Sequence, residues 1–109
     1  MASGAIHVDD ATFKKVVLDS PVPVLVDFWA KWCAPCRQMG PIVDELAGQF
    51  EGRARVVKVN VDDAARTASK YGIRSIPTFG VFWEGELVST LVGARPKPEL
   101  VKALERVGA

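Results

Sequence analysis

The order of apolar and polar positions divides the chain into strands and helices that alternate over most of its length. The runs at 22–28 and 54–61 are short and almost wholly apolar, as in strands buried on both faces. Between them, apolar residues recur every three or four positions, which predicts a helix from Cys33 to Phe50. Pro41 lies inside this helix and removes one backbone donor, so we expect a kink there.

Shorter elements complete the predicted order β-α-β-α-β-α-β-β-α. They are an edge strand at 6–8, an amphipathic helix at 9–18 with acidic residues first, a helix at 64–71 closed by Gly72, hairpin strands at 78–83 and 86–92 around Glu84-Gly85, and a last helix from about Pro98 to Val107. Because the early strands alternate with helices, we expect them to be parallel, with helices on both faces of the sheet. The hairpin adds an antiparallel pair, which gives an α/β fold.

Length and charge narrow the function. The 109 residues fit one domain spanning 1–109. A net charge of +1, with no long run of one sign, argues against nucleic acid as a partner. The longest apolar run, at 21–28, contains Asp27 and is too short to span a membrane. Since the N-terminus lacks the pattern of a secretory signal, we expect a cytoplasmic protein, acting as a monomer.

The candidate chemistry lies in Trp32-Cys33-Ala34-Pro35-Cys36, which follows a buried strand and opens a helix. Two cysteines three positions apart can form a disulfide there. The free N–H groups and dipole of the helix start favour a thiolate at Cys33, and the thiolate is the nucleophile. Cys36 would lie one turn inward, so we expect an exposed attacking thiol and a protected thiol that later resolves the mixed disulfide.

The alternative for these cysteines is a structural or metal-binding pair. A structural zinc site needs four protein ligands, and the chain offers two cysteines and one histidine, His7, far from them in sequence. A metal would therefore have to be shared between chains, and we expect no metal site within one chain. His7 is interpreted as a solvated residue of the edge strand.

Asp27 is the one polar side chain in the run 24–28. Burial should raise its pKa, and a carboxylate close behind the cysteines could take the proton of Cys36. Lys58 lies in the other buried run and could approach Asp27 to offset its burial. Alternatively, Asp27 ends its strand and is satisfied by backbone N–H groups.

Proline and tryptophan residues suggest how a substrate binds. Pro77 precedes an apolar strand, a position that suits a tight turn with either a trans or a cis bond. A cis bond would leave the backbone of Ile76 free to pair with an extended peptide. Trp32 adjoins Cys33 and is either a surface contact for substrates or ordinary packing. Trp29 is expected in the core, and Trp83 suggests no role.

These residues resemble those of the thioredoxin family over nearly the whole chain, from about Ile6 to Val107. The matching positions are 26–30, 32–36, Pro41, Asp62, 71–78 and 92–94. Their combination is specific, whereas a Cys-x-x-Cys sequence by itself is not. Most members carry Gly-Pro between the cysteines, and this chain departs from them with Ala34-Pro35.

The resemblance implies a thioredoxin fold, with a central five-stranded mixed sheet flanked by four helices. It implies that Cys33 is the nucleophile, Cys36 the resolving cysteine and Asp27 the proton acceptor for Cys36. It also implies a cis bond before Pro77, and a substrate groove lined by Trp32, Ile76, Pro77 and Gly93. Electrons would come from an NADPH- and flavin-dependent thioredoxin reductase, with disulfide-containing proteins as substrates and no cofactor in this chain.

Redox tuning is expected from Ala34, Pro35 and Lys58. Because Pro35 is kept and no histidine lies between the cysteines, we predict a reducing protein, a protein-disulfide reductase. Alternatives are a disulfide oxidase or isomerase on the same fold, a binding module or chaperone without redox turnover, and a dimer bridged by metal through the cysteine pairs.

Overall fold

The computed structural model describes residues 4–109, which form a five-stranded mixed sheet with four helices. The strands are β1 (Ile6–His7), β2 (Val24–Trp29), β3 (Arg55–Asn60), β4 (Thr78–Trp83) and β5 (Glu86–Val92). The helices are α1 (Lys14–Leu18), α2 (Ala34–Gln49), α3 (Ala65–Lys70) and α4 (Lys97–Glu105). The predicted order of elements and the predicted fold class are confirmed.

The sheet has the order β1-β3-β2-β4-β5, so β2 lies at its centre. β3 runs parallel to both β1 and β2, whereas β4 is antiparallel to β2 and to β5. The parallel pairs and the β4–β5 hairpin agree with the sequence prediction, whereas the antiparallel pair of β2 and β4 is not made by the hairpin. Within residues 4–109, no helix has both the length and the apolar composition needed to cross a bilayer.

Each face of the sheet has its own hydrophobic core. One core packs against α2 and α4, and its buried side chains include Leu25, Val43, Leu46, Phe79, Leu100 and Leu104. The other packs against α1 and α3, and its buried side chains include Phe13, Val17, Val26, Phe28, Val57 and Phe82. Because side chains alternate between the faces of a strand, Asp27 lies on the same face as Leu25, toward α2.

The helix predicted at 9–18 is shorter in the structure, and this prediction is wrong in its first half. Asp9 accepts hydrogen bonds from the backbone N–H of Ala11 and of Thr12, both at 3.0 Å, which fixes a turn. These are the bonds of a helix N-cap, and the N–H of Phe13 also donates to the carbonyl of Asp9 at 3.0 Å, so helical bonding begins at Asp9. The assigned helix Lys14–Leu18 has wide turns: the N–H of Asp19 donates to the carbonyl of Lys14 at 2.9 Å.

The other local predictions hold within a residue or two. α2 continues through Pro41. Gly72, at φ +65°, lies two residues after the last residue of α3. Glu84 and Gly85 have φ values of +53° and +81°, as a two-residue hairpin turn with both central residues left-handed requires.

The aromatic core under α1 should carry much of the stability. Phe82 is 1% exposed, and its ring lies 5.4 Å from Phe13 and 5.0 Å from Tyr71. We expect Phe82→Ala to lower the free energy of unfolding by about 3–5 kcal/mol, because it leaves a cavity among these rings. Chemical denaturation measures this loss. The control is Val88→Ala on β5, which is 48% exposed and should change stability by less than about 1 kcal/mol. Equal effects of the two substitutions would contradict the assignment of this core.

Candidate active site

The two cysteines lie at the start of α2, directly after β2 and a short turn. Cys33 has an extended backbone and caps the helix, and its sulphur accepts a hydrogen bond from the N–H of Cys36 at 3.2 Å. Pro35 lies in the first turn, where the helix has no use for its missing N–H. The Cα atoms of Cys33 and Cys36 are 5.2 Å apart, and the sulphurs form a disulfide. The predicted sulphur at a helix N-terminus is therefore confirmed.

The expected contrast between an exposed and a protected sulphur is not found in this oxidised form. Cys33 is 5% exposed and Cys36 is 3% exposed. The disulfide turns the sulphur of Cys33 toward the helix, and it also lies 3.8 Å from the carbonyl oxygen of Ile76. What distinguishes the two cysteines is therefore their surroundings. The sulphur of Cys33 accepts the N–H of Cys36, and Cys36 borders a cavity that is also lined by Asp27.

A cavity of about 200 Å³ connects Cys36 with Asp27. Its lining residues come from three strands and α2: His7, Asp27, Trp29, Cys36, Arg37, Gly40 and Lys58. Asp27 is 1% exposed, and no group among residues 4–109 is within hydrogen-bonding range of its Oδ1. The alternative in which backbone N–H groups satisfy Asp27 is thus not supported for this oxygen.

Burial raises the pKa of Asp27 to about 7. The positive charge of Lys58 opposes this shift, and the negative charge of Asp44 adds to it. The carboxyl group of Asp27 therefore changes its protonation state close to neutral pH.

Lys58 occupies the expected strand position but makes a different ion pair. It lies opposite Asp27 in the register of β2 and β3. Its ammonium is 3.2 Å from Oδ1 of Asp44 on α2, so Lys58 pairs with Asp44 and not with Asp27. The prediction that Lys58 offsets the burial of Asp27 holds for its charge, which lowers the pKa of Asp27, although the two side chains form no ion pair. A carboxylate that is 46% exposed holds the ammonium with far less desolvation than the buried one would.

The loop beside the disulfide has the predicted form. The Ile76–Pro77 bond is cis, and Ile76 is half-buried. The hydroxyl of Thr78 donates to the carbonyl of Ser75 at 2.6 Å, and the N–H of Gly93 donates to the carbonyl of Pro77 at 2.8 Å. Gly93 has a φ of +91°, a conformation that favours glycine.

Trp32 is an exposed apolar surface next to the disulfide. It is 68% exposed, and its indole N–H donates to Oδ2 of Asp62 at 2.9 Å. The alternative of ordinary packing is therefore wrong for Trp32. Trp29 is only half-buried and lines the cavity, so its expected place in the core is also wrong. Its ring is 6.2 Å from that of His7, the exposed edge-strand residue.

Sequence reasoning did not connect Asp44 or His7 with the site. Asp44 is eight positions after Cys36, and Gly40 lies midway, so all three lie on one stripe of α2. The spacing of Cys36, Gly40 and Asp44 is visible in the sequence. The position of Lys58 next to them depends on how β3 packs against α2. Among residues 4–109, no three histidine, cysteine or acidic side chains are grouped as metal ligands would be.

A disulfide at a helix start, a cis-proline loop against it and a buried carboxyl behind it define a dithiol–disulfide exchange protein. Comparison with known proteins places the chain more narrowly. The thioredoxin family model matches residues 4–106. Thioredoxin 1 of Nostoc sp. is 58% identical over 104 residues, covering 95% of this chain and 97% of the relative. Thioredoxin of Synechocystis sp. is 55% identical with the same coverage. A chloroplastic M-type thioredoxin of Chlamydomonas reinhardtii is 54% identical over 91% of this chain and 71% of its own.

The chain belongs to the thioredoxin family. It is a thiol–disulfide oxidoreductase with Cys33 and Cys36 as its redox-active pair, and its reaction is the reduction of protein disulfides. Family members in general exchange electrons with a thioredoxin reductase and with disulfide-containing proteins.

The buried Asp27 should make stability depend on pH. Its pKa is raised in the folded protein, so folding is favoured most below the unfolded pKa of 3.8 and loses free energy as pH rises toward about 7. We expect Asp27→Asn to gain roughly 4 kcal/mol over the oxidised parent between pH 4 and pH 8. Denaturant unfolding of both proteins across this range measures the difference. A difference that stays constant with pH would contradict the raised pKa.

Proposed function

We propose that Cys33 attacks the substrate disulfide, that Cys36 resolves the mixed disulfide, and that Asp27 accepts the proton of Cys36. The observation that supports these roles is the asymmetry around the pair. The N–H of Cys36 points at the sulphur of Cys33, whereas Cys36 shares a cavity with Asp27. One sulphur is thereby placed to be a stable thiolate, and the other is placed to lose its proton on demand.

In the first step, the thiolate of Cys33 attacks one sulphur of the substrate disulfide. The substrate S–S bond breaks, a mixed disulfide forms at Cys33, and the other substrate sulphur leaves as a thiolate and takes a proton from solvent. The helix N–H and dipole stabilise the attacking thiolate before this step. The reacting sulphur lies at the N-terminus of α2, where the N–H of Cys36 points at it.

In the second step, Cys36 attacks the sulphur of Cys33. Asp27 takes the proton of Cys36, a Cys33–Cys36 bond forms, and the second substrate sulphur leaves as a thiolate. The substrate disulfide has then gained two electrons, and the cysteine pair has lost two. A carboxyl group with a pKa of about 7 is a stronger base than an exposed aspartate, which suits a proton as weakly acidic as that of a thiol.

The substrate is an extended segment that lies across the disulfide. The half-buried residue Ile76 and the exposed ring of Trp32 lie on the loops beside Cys33. The N–H of Gly93 donates to the carbonyl of Pro77, which holds Gly93 next to the same loop. Backbone pairing at Ile76 and apolar contact at Trp32 would bind such a segment with little regard to its sequence. This arrangement favours a reductase with many protein substrates.

The reducing direction is proposed from the residues between the cysteines. Ala34 is the first residue of α2, where φ is not positive, so this position does not require the glycine found in most relatives. Pro35 is retained, and no histidine is present to stabilise a thiolate further. We propose an NADPH- and flavin-dependent thioredoxin reductase as the electron donor, a cytoplasmic location and a monomeric state, with no cofactor bound to this chain.

Substitution of the three reacting residues separates their roles. In an NADPH-coupled assay with a thioredoxin reductase and insulin, we expect Cys33→Ser to abolish turnover. Cys36→Ser should be inactive too but should accumulate the mixed disulfide, which non-reducing electrophoresis and mass spectrometry detect. Asp27→Asn should slow turnover by at least about tenfold through loss of the proton acceptor. Unchanged turnover in Asp27→Asn would remove its assigned role, and mixed disulfide in Cys33→Ser would reverse the order of attack.

Trp32 should affect the binding of proteins more than the chemistry. We expect Trp32→Ala to raise KM for a protein disulfide by about tenfold, because an exposed ring contributes apolar contact area. The rate with a small linear disulfide such as cystine, measured as its reduction in the same assay, should change less than twofold. An equal loss with both substrates would show that Trp32 acts on the cysteines themselves.

A further inference from the structure

One stripe of α2 carries a cysteine, a glycine and an aspartate. Cys36, Gly40 and Asp44 are spaced four residues apart and therefore lie above one another on the helix. Cys36 and Gly40 both line the cavity that contains Asp27. The face of α2 that meets the central strand thus connects the redox pair with Asp44.

The side chain of Lys58 crosses this stripe at Gly40, where α2 has no side chain. A Cβ atom at Gly40 would be 3.9 Å from the ammonium nitrogen of Lys58, so the side chain lies over Gly40 in ordinary contact distance. From there the ammonium reaches Asp44 Oδ1 at 3.2 Å, and the side chain of Lys58 is only 14% exposed. The same oxygen accepts the N–H of Ala5 at 2.9 Å, which ties the start of β1 to α2.

Lys58 has a second anionic group within its range. It is the direct neighbour of Asp27 across the parallel pair β2–β3, and side chains in register point to the same face of the sheet. Both residues line the same cavity. The ammonium is therefore placed between two carboxylates, and the structure shows it bound to Asp44.

We propose that Asp44 is a positioning residue for proton transfer at Asp27, because it holds the ammonium of Lys58 over Gly40 and prevents an ion pair between Lys58 and Asp27. An ion pair with Lys58 would keep Asp27 ionised and make it a poor proton acceptor. An opposite charge that moves to within about 4–6 Å of a carboxylate lowers its pKa by about one to three pH units. Asp44 thereby keeps Asp27 a strong enough base.

The other groups that face Asp27 do not replace Asp44 in this role. His7 from β1, Lys58 from β3, and Cys36 and Arg37 from α2 line the cavity. The register neighbour of Asp27 on β4 is Phe79, which does not titrate. Arg37 donates to the carbonyl of Lys31 at 2.7 Å. Among these groups, Lys58 is the cation that adjoins Asp27 in the sheet.

The proposal rests on the proposed role of Asp27, so its test must report on Asp27 directly. The side-chain carboxyl carbon of Asp27 can be titrated by NMR in the oxidised protein, where the parent midpoint is expected at about 7. We expect Asp44→Asn to lower this midpoint by at least about one pH unit, because Lys58 is then free to turn toward Asp27. Asparagine keeps an oxygen that can accept the N–H of Ala5, so the fold should be retained, which thermal unfolding checks.

The decisive comparison repeats Asp44→Asn in a Lys58→Met background. There the substitution removes only the direct repulsion between two carboxylates, so the midpoint of Asp27 should fall clearly less than it does when Lys58 is present. Glu45→Gln is the matched control. It removes a carboxylate one position away on α2 that pairs with Lys97 at 2.6 Å, and it should leave the midpoint of Asp27 unchanged.

The results separate this proposal from the proposed function. Equal falls with and without Lys58, or no fall at all, would overturn the positioning role of Asp44. If Asp44→Asn shifts the titration as expected and also moves the acid limb of the pH–turnover profile to lower pH, both proposals are supported. If the titration shifts while Asp27→Asn leaves turnover unchanged, Asp44 positions Lys58 as proposed and the proton-accepting role of Asp27 is the one that fails.

Discussion

The hydrogen bond from the N–H of Cys36 to the sulphur of Cys33 is the interaction on which the site depends. It exists because β2 ends just before α2 begins, so the first free N–H groups of the helix meet a side chain at the cap position. A cysteine at this position takes the place of the usual serine or aspartate. The ordinary chemistry of helix capping therefore becomes the means by which a thiolate is stabilised.

The central strand carries the opposite constraint. β2 is buried from Val24 to Phe28, and its Asp27 side chain faces α2 without a partner for Oδ1 among the described residues. An unpaired buried carboxyl group is unfavourable when ionised. The hydrophobic packing on both faces of the sheet must outweigh this free-energy cost of burying a charge. The protein thus keeps a destabilising group in its centre, in the cavity that Asp27 shares with Cys36.

The charges around the cavity are arranged by three different elements. Asp44 on α2 accepts both the N–H of Ala5 and the ammonium of Lys58, so β1, α2 and β3 converge on one carboxylate. This ion pair is partly exposed, and its contribution to stability should be small. The pair fixes where the positive charge of Lys58 lies relative to Asp27, and that charge opposes the raised pKa of Asp27.

Several features were determined by the sequence itself because they depend on local rules. The strands and helices follow from apolar periodicity, the hairpin from Glu84-Gly85, and the redox pair from two cysteines at a helix start. In the helix predicted at 9–18, the side chain of Asp9 caps the start, but the assigned helix begins only at Lys14 and has wide turns, which periodicity does not reveal. The partner of Lys58, the half-buried state of Trp29 and the burial of Cys33 were decided only by tertiary structure. Each depends on how α2 and the β2 and β3 strands pack in three dimensions, and such distances between residues far apart in the chain are not encoded in any single stretch of sequence.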